Sequence, residues 1–327
     1  MFLRKQLSKL VEFFLLEINA IYDYCIFKKY YTKETSKDND QKELESWILQ
    51  DKHRIEKAFS LPSPRFGFGE VVIRRLSKNL ELYSSRFQKD NIFYIGVGAL
   101  KAYKEFHLLN SAELPSFFTD ESKKFSQEDL ENAQCNQVGY AQPVKITDAE
   151  KLEFLNFSMK RKSCRNYDTT KSLTIDDSLI SDVLKAAITA PSVCNRQHWH
   201  VHFFKNDKKD EILKYQNGNT GFSKNIPMLA LVTSDLRSFY SANERNQGYT
   251  DGGLFSMNLM YALQAHGLAS CPLNWCSSYL NERRFRAHNF IPKNEIVIMA
   301  IALGYADDSA VYAKSPRLAV ENFYTIN

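Results

Sequence analysis

The sequence contains few glycines and lacks a glycine-rich phosphate loop. Twelve glycines in 327 residues are about half of the usual ~7% share. Neither a P-loop pattern nor GxGxxG occurs. These absences argue against flexible glycine linkers and against a Rossmann-type dinucleotide site.

Paired cysteines and long apolar runs are also missing. The six cysteines form no CxxC pair, so a disulfide scaffold is not expected. No stretch approaches the ~18 apolar residues of a membrane-spanning helix. Glu12, Glu17 and Asp23 interrupt the apolar segment near the amino terminus, unlike the core of a secretory signal. The sequence therefore predicts a cytoplasmic protein.

The charge excess is small and lies in the second half of the chain. Residues 1–150 contain 22 basic and 22 acidic side chains, and residues 151–327 contain 21 and 16, for a net charge of +5. This is too mild for a nucleic-acid-binding module. It suits a site for small phosphorylated ligands, and scattered surface lysines explain it equally well.

Residues 1–150 are predicted to form a mostly helical amino-terminal extension of unknown role. Apolar residues at helical spacing within 3–31 (Leu3, Leu7, Leu10, Phe14, Ile18, Ile21 and Cys25) predict an amphipathic helix. Packing on the chain's own core is favoured over membrane-surface contact through residues 3–31, which the flanking basic residues also permit. We further expect an exposed loop at 32–46, an irregular segment at 53–70, helices at 71–88 and 93–109, and a linker at 110–148.

Residues 151–327 are predicted to form a second domain of the α+β class. Helices at 151–161 and 176–188 mix with strands at 199–204, 227–234 and 294–306 without regular βαβ alternation. The helix predicted at 251–270 has almost no polar face. It must therefore be buried within a domain or at a subunit interface.

Two short segments carry candidate binding groups. Arg161, Ser163 and Arg165 lie two residues apart, so in an extended segment they share a face and can clamp a phosphate or carboxylate. Ser192 and Asn195 place polar side chains in a loop, where they can donate and accept hydrogen bonds with a heterocyclic ligand. Each segment taken alone is explained as well or better by a solvated basic turn or an ordinary polar turn.

Taken together and in order, five segments resemble the nitroreductase family of FMN-dependent oxidoreductases. They are RKSCRNYD at 161–168, AAITAPSVCNRQHWHVHFF at 186–204, DGGLFSMNLMYALQAHGLASCPLNW at 251–275, IPKNEIVIMAIALGY at 291–305 and SPRLAVENF at 315–323. The resemblance covers about residues 155–324. It implies an FMN-binding sandwich, with a mixed sheet flanked by helices, in an obligate homodimer that holds FMN at the subunit interface.

The resemblance also assigns cofactor-binding positions. It places Arg161, Ser163 and Arg317 at the FMN phosphate and ribityl chain, and Arg165 near the flavin N1 and O2 edge. Ser192 and Asn195 match the loop contributed by the partner subunit. The stretch that faces flavin N5 corresponds to Leu273, Asn274 and Trp275. Lys162 and Pro191 complete the predicted cofactor-binding set.

The chain departs from the family pattern where substrate specificity resides. His198 stands where proline is usual, Asn274–Trp275 replaces a common acidic–glycine pair, and the 205–250 region lacks a long helical insertion. The substrate therefore does not carry over from the resemblance.

Other constellations of reactive residues compete with this interpretation. His198, His200 and His202 share one face of a strand, but no Asp, Glu or Cys nearby in sequence completes a metal site. Cys271 and Cys276 have the wrong spacing for a redox pair and are expected to be buried structural residues. A serine hydrolase is disfavoured because no GxSxG elbow occurs.

The favoured hypothesis is an oxidoreductase in which NAD(P)H delivers hydride to flavin N5 and a second substrate then takes the electrons. That substrate is a nitroaromatic, a quinone or a specialised metabolite, and no side chain need act as acid or base. Two alternatives remain open at this point. One is a flavin-binding scaffold without turnover, whose amino-terminal half docks a partner or a membrane surface. The other is an oxidase of the same family that uses oxygen to oxidise flavin or substrate.

Overall fold

A computed structural model describes residues 2–32, 36–134 and 138–327, with side chains from residue 12 onward. Its first part contains helices α1 (Phe2–Tyr30), α2 (Gln41–Phe59), α3 (Glu70–Arg86), α4 (Asn91–Leu109), α5 (Ser116–Ser122) and α6 (Gln127–Glu131). The second part runs α7 (Asp148–Lys160), β1 (Tyr167–Asp168), α8 (Asp177–Ala187), β2 (Trp199–Phe204), α9 (Asn206–Leu213), β3 (Met228–Asp235), α10 (Gln247–Ala265), β4 (Ala269–Leu273), α11 (Tyr279–Ala287) and β5 (Glu295–Ala306).

Helices α2 to α6 pack around one apolar core. Gly96 of α4 marks the tightest crossing. A Cβ there would come within 2.6 Å of Leu80 Cδ2 on α3 and 2.9 Å of Ile48 Cγ2 on α2. Phe117 and Phe118 of α5 are buried in the same core. The absent side chain at Gly96 thus lets three helices approach closely.

Three predictions for this region are wrong. The exposed loop expected at 32–46 instead contains the start of α2, where Asp40 and Glu43 form a reciprocal capping box and Leu44 is buried. The irregular segment expected at 53–70 begins as the last two turns of α2. The linker expected at 110–148 holds α5 and α6, which complete the core, while residues 138–147 form neither helix nor strand. In each case tertiary burial outweighs a polar local composition.

Helix α1 contacts the second part of the chain through its carboxy-terminal half. Phe27 is buried against Leu236, Phe239 and Ile296. Phe13, by contrast, is exposed. Packing on the chain's own core is therefore confirmed for the end of α1 and wrong for residues 12–18. The side chains of Leu3, Leu7 and Leu10 lie outside the described residues.

The second part is a two-sided sandwich. β5 lies between β3 and β4 and also pairs with β1, while β2 pairs with β3; all these pairs are antiparallel. Among the described residues, the parallel pairing expected of a mixed sheet is limited to an isolated bridge between Ser163 and Ser270. Helices α8 and α10 cover one face of the sheet, and α9 and α11 cover the other. The α+β sandwich is confirmed.

Helix α10 shows why this domain packs tightly. A Cβ at Gly252 would lie 2.6 Å from Ile298 Cγ1 on β5, so glycine allows the helix to sit against the sheet. The predicted helix 251–270 is shorter at its carboxy-terminal end. It turns at Gly267, whose φ of +73° is left-handed, and enters β4. Leu254 on the opposite side is 48% exposed in the single chain.

Candidate cofactor site

The basic segment predicted to clamp an anion lies against β4. Arg161 follows the last residue of α7, and its backbone is extended. Cys164 N donates to Ser270 O at 3.0 Å, which holds the segment alongside the strand. Arg161, Ser163 and Arg165 are thereby held in an extended stretch, as the sequence predicts.

These residues meet the carboxy-terminal tail around a cavity of about 120 Å³. Arg317 reaches it from 156 positions away in sequence, and its Nη1 donates to Ser315 O at 2.7 Å. The structure thus brings together one subset of the predicted site residues: Arg161, Lys162, Ser163, Arg165 and Arg317.

The basic side chains at this cavity have no acidic partner in the part of the chain that the structure describes. Arg161 Nη1 is buried and has no hydrogen-bond partner among the described residues. Nor does any described carboxylate pair with Arg161, Lys162, Arg165 or Arg317. A buried N–H group without a partner is unfavourable unless an acceptor satisfies it, and an anion is the acceptor that a guanidinium binds best. The donor set therefore fits a phosphate.

Buried thiols lie beside the same segment. Burial raises the pKa of Cys271, and the positive fields of Arg165 and Arg161 oppose that rise. Cys164 is also buried, and burial likewise raises its pKa. Cys276 is exposed, so the expected burial of both Cys271 and Cys276 is wrong for the second; Cys135 lies outside the described residues.

The predicted stretch at the end of β4 is held from two sides. Asn274 O accepts from Gln216 Nε2 at 3.0 Å, and Trp275 Nε1 donates to Glu282 Oε2 at 2.9 Å. Leu273 is buried. Sequence reasoning missed Gln216 and Glu282, although the polar turn GNTG after Gln216 was a visible signal of a structured loop.

The loop with Pro191, Ser192 and Asn195 lies apart from the basic cavity, since none of its residues lines it. Ser192 Oγ accepts from Gln197 N at 3.0 Å. Asn195 has a left-handed φ of +51°, which asparagine tolerates better than most residues. Within one chain the structure therefore does not unite this loop with the basic clamp.

A buried polar network anchors that loop. Asp251 Oδ2 accepts from Val193 N and contacts His198 Nε2, both at 2.8 Å, and His198 Nδ1 contacts Ser234 Oγ at 2.8 Å. Ser234, His198 and Asp251 are 0%, 1% and 2% exposed. A substrate cannot reach this Ser–His–Asp chain, so it fixes the loop to β3 and α10 rather than acting as a nucleophile. The sequence analysis did not predict this network because its three residues are far apart along the chain.

The other two histidines of β2 lie side by side. Their ring centroids are 4.4 Å apart, and His202 Nε2 contacts Glu295 Oε2 at 2.7 Å. Burial, followed by the neighbouring His202, lowers the pKa of His200. Within the described ranges, no group of three His, Cys, Asp or Glu side chains converges as metal ligands would.

Comparison with known proteins identifies relatives of the second part of the chain. A model described as the nitroreductase family matches residues 159–219 and 208–305. An Archaeoglobus fulgidus protein with NADH dehydrogenase/NAD(P)H nitroreductase in its name is 29% identical over 162 residues, 48% of this chain and 87% of the relative. Residues 159–305, somewhat less than half of the chain, are thus similar to the nitroreductase family. The amino-terminal extension lies outside that match.

Shorter and structural similarities involve the same part of the chain. Nitroreductase NfnB of Mycolicibacterium smegmatis is 40% identical over 60 residues, 18% of this chain and 24% of the relative. A nitroreductase-like protein from Streptococcus mutans has a solved structure that is 22% identical, covers 54% of this chain and 99% of its own, and superposes with a TM-score of 0.47. No helix within the described residues is long and apolar enough to cross a membrane.

Proposed function

We propose that the chain is an FMN-dependent oxidoreductase that uses NAD(P)H and transfers reducing equivalents to a second substrate. The observation that carries the proposal is the half-buried Arg161, whose Nη1 is buried without a hydrogen-bond partner, in a basic cavity within the family-matched region. Relatives with NAD(P)H nitroreductase in their names and a solved nitroreductase described as FMN-dependent support the cofactor assignment.

In this proposal the cavity residues hold the phosphate end of FMN. Arg161 and Arg317 donate charge-assisted hydrogen bonds to the phosphate, and Ser163 binds the adjoining chain. Arg165 supplies positive charge beside the ring, while Leu273, Asn274 and Trp275 line it. Bound FMN would supply two-electron transfer between NAD(P)H and the second substrate, and the protein provides position, charge and exclusion of water.

We further propose that two copies of the chain assemble as a homodimer. The carboxy-terminal tail after β5 is exposed. It carries four apolar side chains, Val311, Leu318, Phe323 and Ile326, which are 89%, 71%, 68% and 87% exposed. Apolar surface of this kind usually marks an interaction site. In such a dimer the loop with Pro191, Ser192 and Asn195 serves the partner's flavin. A domain boundary near residue 150 and a cytoplasmic location remain predictions.

The decisive experiment is the visible spectrum of the purified chain, with and without added FMN, followed by anaerobic titration with NADH and NADPH. We expect a yellow protein, or one that becomes yellow with FMN, whose flavin is bleached by one of the nucleotides. Steady-state turnover with menadione or a nitrofuran then separates an enzyme from a non-catalytic scaffold. A colourless protein that FMN cannot reconstitute would refute the proposal.

A further inference from the structure

A second cavity, of about 820 Å³, opens between α1 and the sandwich domain. Its walls come from α1, from Tyr249 at the start of α10, from residues 275–279 after β4, and from α11. This volume is within the ~300–1,000 Å³ typical of small-molecule sites. The amino-terminal extension and the family-matched region therefore build this cavity together.

Helix α1 is fixed on both sides of the cavity. Tyr279 N donates to Asn19 Oδ1 at 2.8 Å. Beyond the other end of α1, Thr32 N donates to Phe239 O at 2.7 Å, and Phe27 is buried beside that residue. The residues between these anchors consequently face the cavity at set positions.

The walls are rich in aromatic rings. Tyr22 and Tyr279 face each other with ring centroids 6.4 Å apart. The tyrosine and tryptophan side chains of the lining are Tyr22, Tyr24, Tyr31, Tyr249, Trp275 and Tyr279. Such walls bind planar rings by stacking and attract cations to the faces of the rings.

One pair of wall charges is neutralised internally. Glu282 accepts from Arg286 Nε at 2.9 Å and from Trp275 Nε1 at 2.9 Å. The two remaining nitrogens of Arg286 donate to the backbone carbonyls of Lys293 and Glu295. Neither Glu282 nor Arg286 therefore has its charge free for a ligand.

Asp23 differs, because among the described side chains it has no hydrogen-bond or ion-pair partner. The residue is exposed overall, but partial desolvation of its carboxyl, followed by the neighbouring Glu282 carboxylate, raises its pKa, and Arg286 opposes the rise. The cavity also has two cationic side chains. Lys28 lies over the ring of Tyr24 at 5.6 Å, and Arg245 lies on the opposite wall, formed by the loop before α10. The carboxylate without a partner thus stands next to the ring-lined part of the cavity.

We propose that this cavity binds an aromatic amine, with its ring among the tyrosines and its ammonium group on Asp23. The carboxylate gains the charge-assisted hydrogen bond that the chain does not supply, and the cation gains the ring faces. Trp275 is the one residue that this site shares with the proposed FMN-binding set, and neither Asp23 nor Tyr22 belongs to that set. The site can therefore be tested in flavin-free protein.

The test is calorimetric titration of the full chain with three matched probes: 2-phenylethylamine, the neutral 2-phenylethanol and the anionic 3-phenylpropionate. We expect the amine to bind most tightly. Asp23→Asn should weaken amine binding roughly tenfold, the size of a charged hydrogen bond, and leave the alcohol unchanged. Glu17→Gln, on the exposed surface of the same helix, is the matched control and should change nothing.

Other results would overturn the inference. They are equal binding of amine and alcohol, tighter binding of the anion through Lys28 and Arg245, no effect of Asp23→Asn, or no binding of any probe by the wild type. Asp23→Asn should keep its melting temperature because it breaks no internal bond. Tyr22→Leu is a second variant and should weaken all three probes. Amine binding by a chain that cannot take up FMN would refute the proposed function and leave this site standing.

Discussion

Replacing Arg161 by methionine tests the basic cavity most directly. Methionine retains much of the apolar stem but removes the guanidinium, whose Nη1 is buried without a partner. In the flavin-free protein this change removes a buried N–H donor that has no partner and a charge that is partly withdrawn from water. The variant should therefore be at least as stable as the wild type when FMN is absent.

The same substitution should sharply weaken FMN binding. Truncating one partner of a desolvated charge pair costs about 2–5 kcal/mol, which corresponds to roughly 30- to 5,000-fold in Kd. Arg317 is exposed, so its contact is screened by water. Arg317→Ala should cost less, roughly tenfold, and Arg317→Lys less still, because it keeps the charge but loses the planar fork.

The assay is fluorescence titration with FMN and with riboflavin, which lacks the phosphate, alongside thermal melting of the flavin-free proteins. Arg161→Met should weaken FMN and leave riboflavin near its already poor wild-type affinity. Arg284→Ala, at an exposed position of α11, is the control and should alter neither. If Arg161→Met weakens FMN and riboflavin equally, Arg161 does not contact the phosphate and the assignment of this cavity is wrong.

Three other predictions concern the loop anchor, the amino-terminal helix and assembly. Burial acts to raise the pKa of Asp251, but hydrogen bonds from His198, Val193 and Gln247 lower it overall. Its contribution to stability is therefore present above the ordinary carboxyl pKa and is lost as the pH falls through the lower folded value. Asp251→Asn should cost about 1–3 kcal/mol at pH 7 and much less at acidic pH, once the carboxyl is protonated in the folded chain too, in denaturant melts; an equal cost under both conditions would contradict this. Deleting residues 1–31 removes Phe27 from its buried cluster and should cause aggregation or a lower melting temperature. A stable, active truncation that no longer sediments with anionic liposomes would instead indicate a membrane role. Light scattering after size exclusion should show a dimer at micromolar concentration, and a monomer that binds FMN tightly would refute the proposed assembly.

Local pattern was enough to predict much of the sandwich domain. The alternation in WHVHFF gives β2 with its observed bounds, and the apolar run before Ala306 gives β5. The two-residue spacing of Arg161, Ser163 and Arg165 likewise required only an extended backbone to become one cluster. These features depend on neighbours in sequence, so periodicity and residue type suffice.

The start of α2 could have been predicted from a local motif, but the polar composition around that motif favoured the prediction of a loop. Asp40 followed three residues later by Glu43 matches the capping box that the structure contains. The surrounding charges nevertheless suggested a loop. Burial of α5 depends instead on contacts with helices tens of residues away, and a polar segment with a Phe117–Phe118 pair gives no local sign of which core it joins.

The relation of α1 to the sandwich domain illustrates why the second cavity could not be inferred from the sequence. Asn19 and Tyr279 are 260 positions apart, yet one hydrogen bond between them sets the cavity wall. An exposed aspartate on an amphipathic helix ordinarily means a solvated face. Only the fold brings Asp23 beside tyrosines from α10 and the segment after β4 while leaving it without a cation of its own. Asp23 is exposed and solvated in the ligand-free chain, so a cationic ligand gains by adding the faces of the nearby rings to the attraction of the carboxylate. The pairing of residues, rather than their identity, makes Asp23 a candidate binding group.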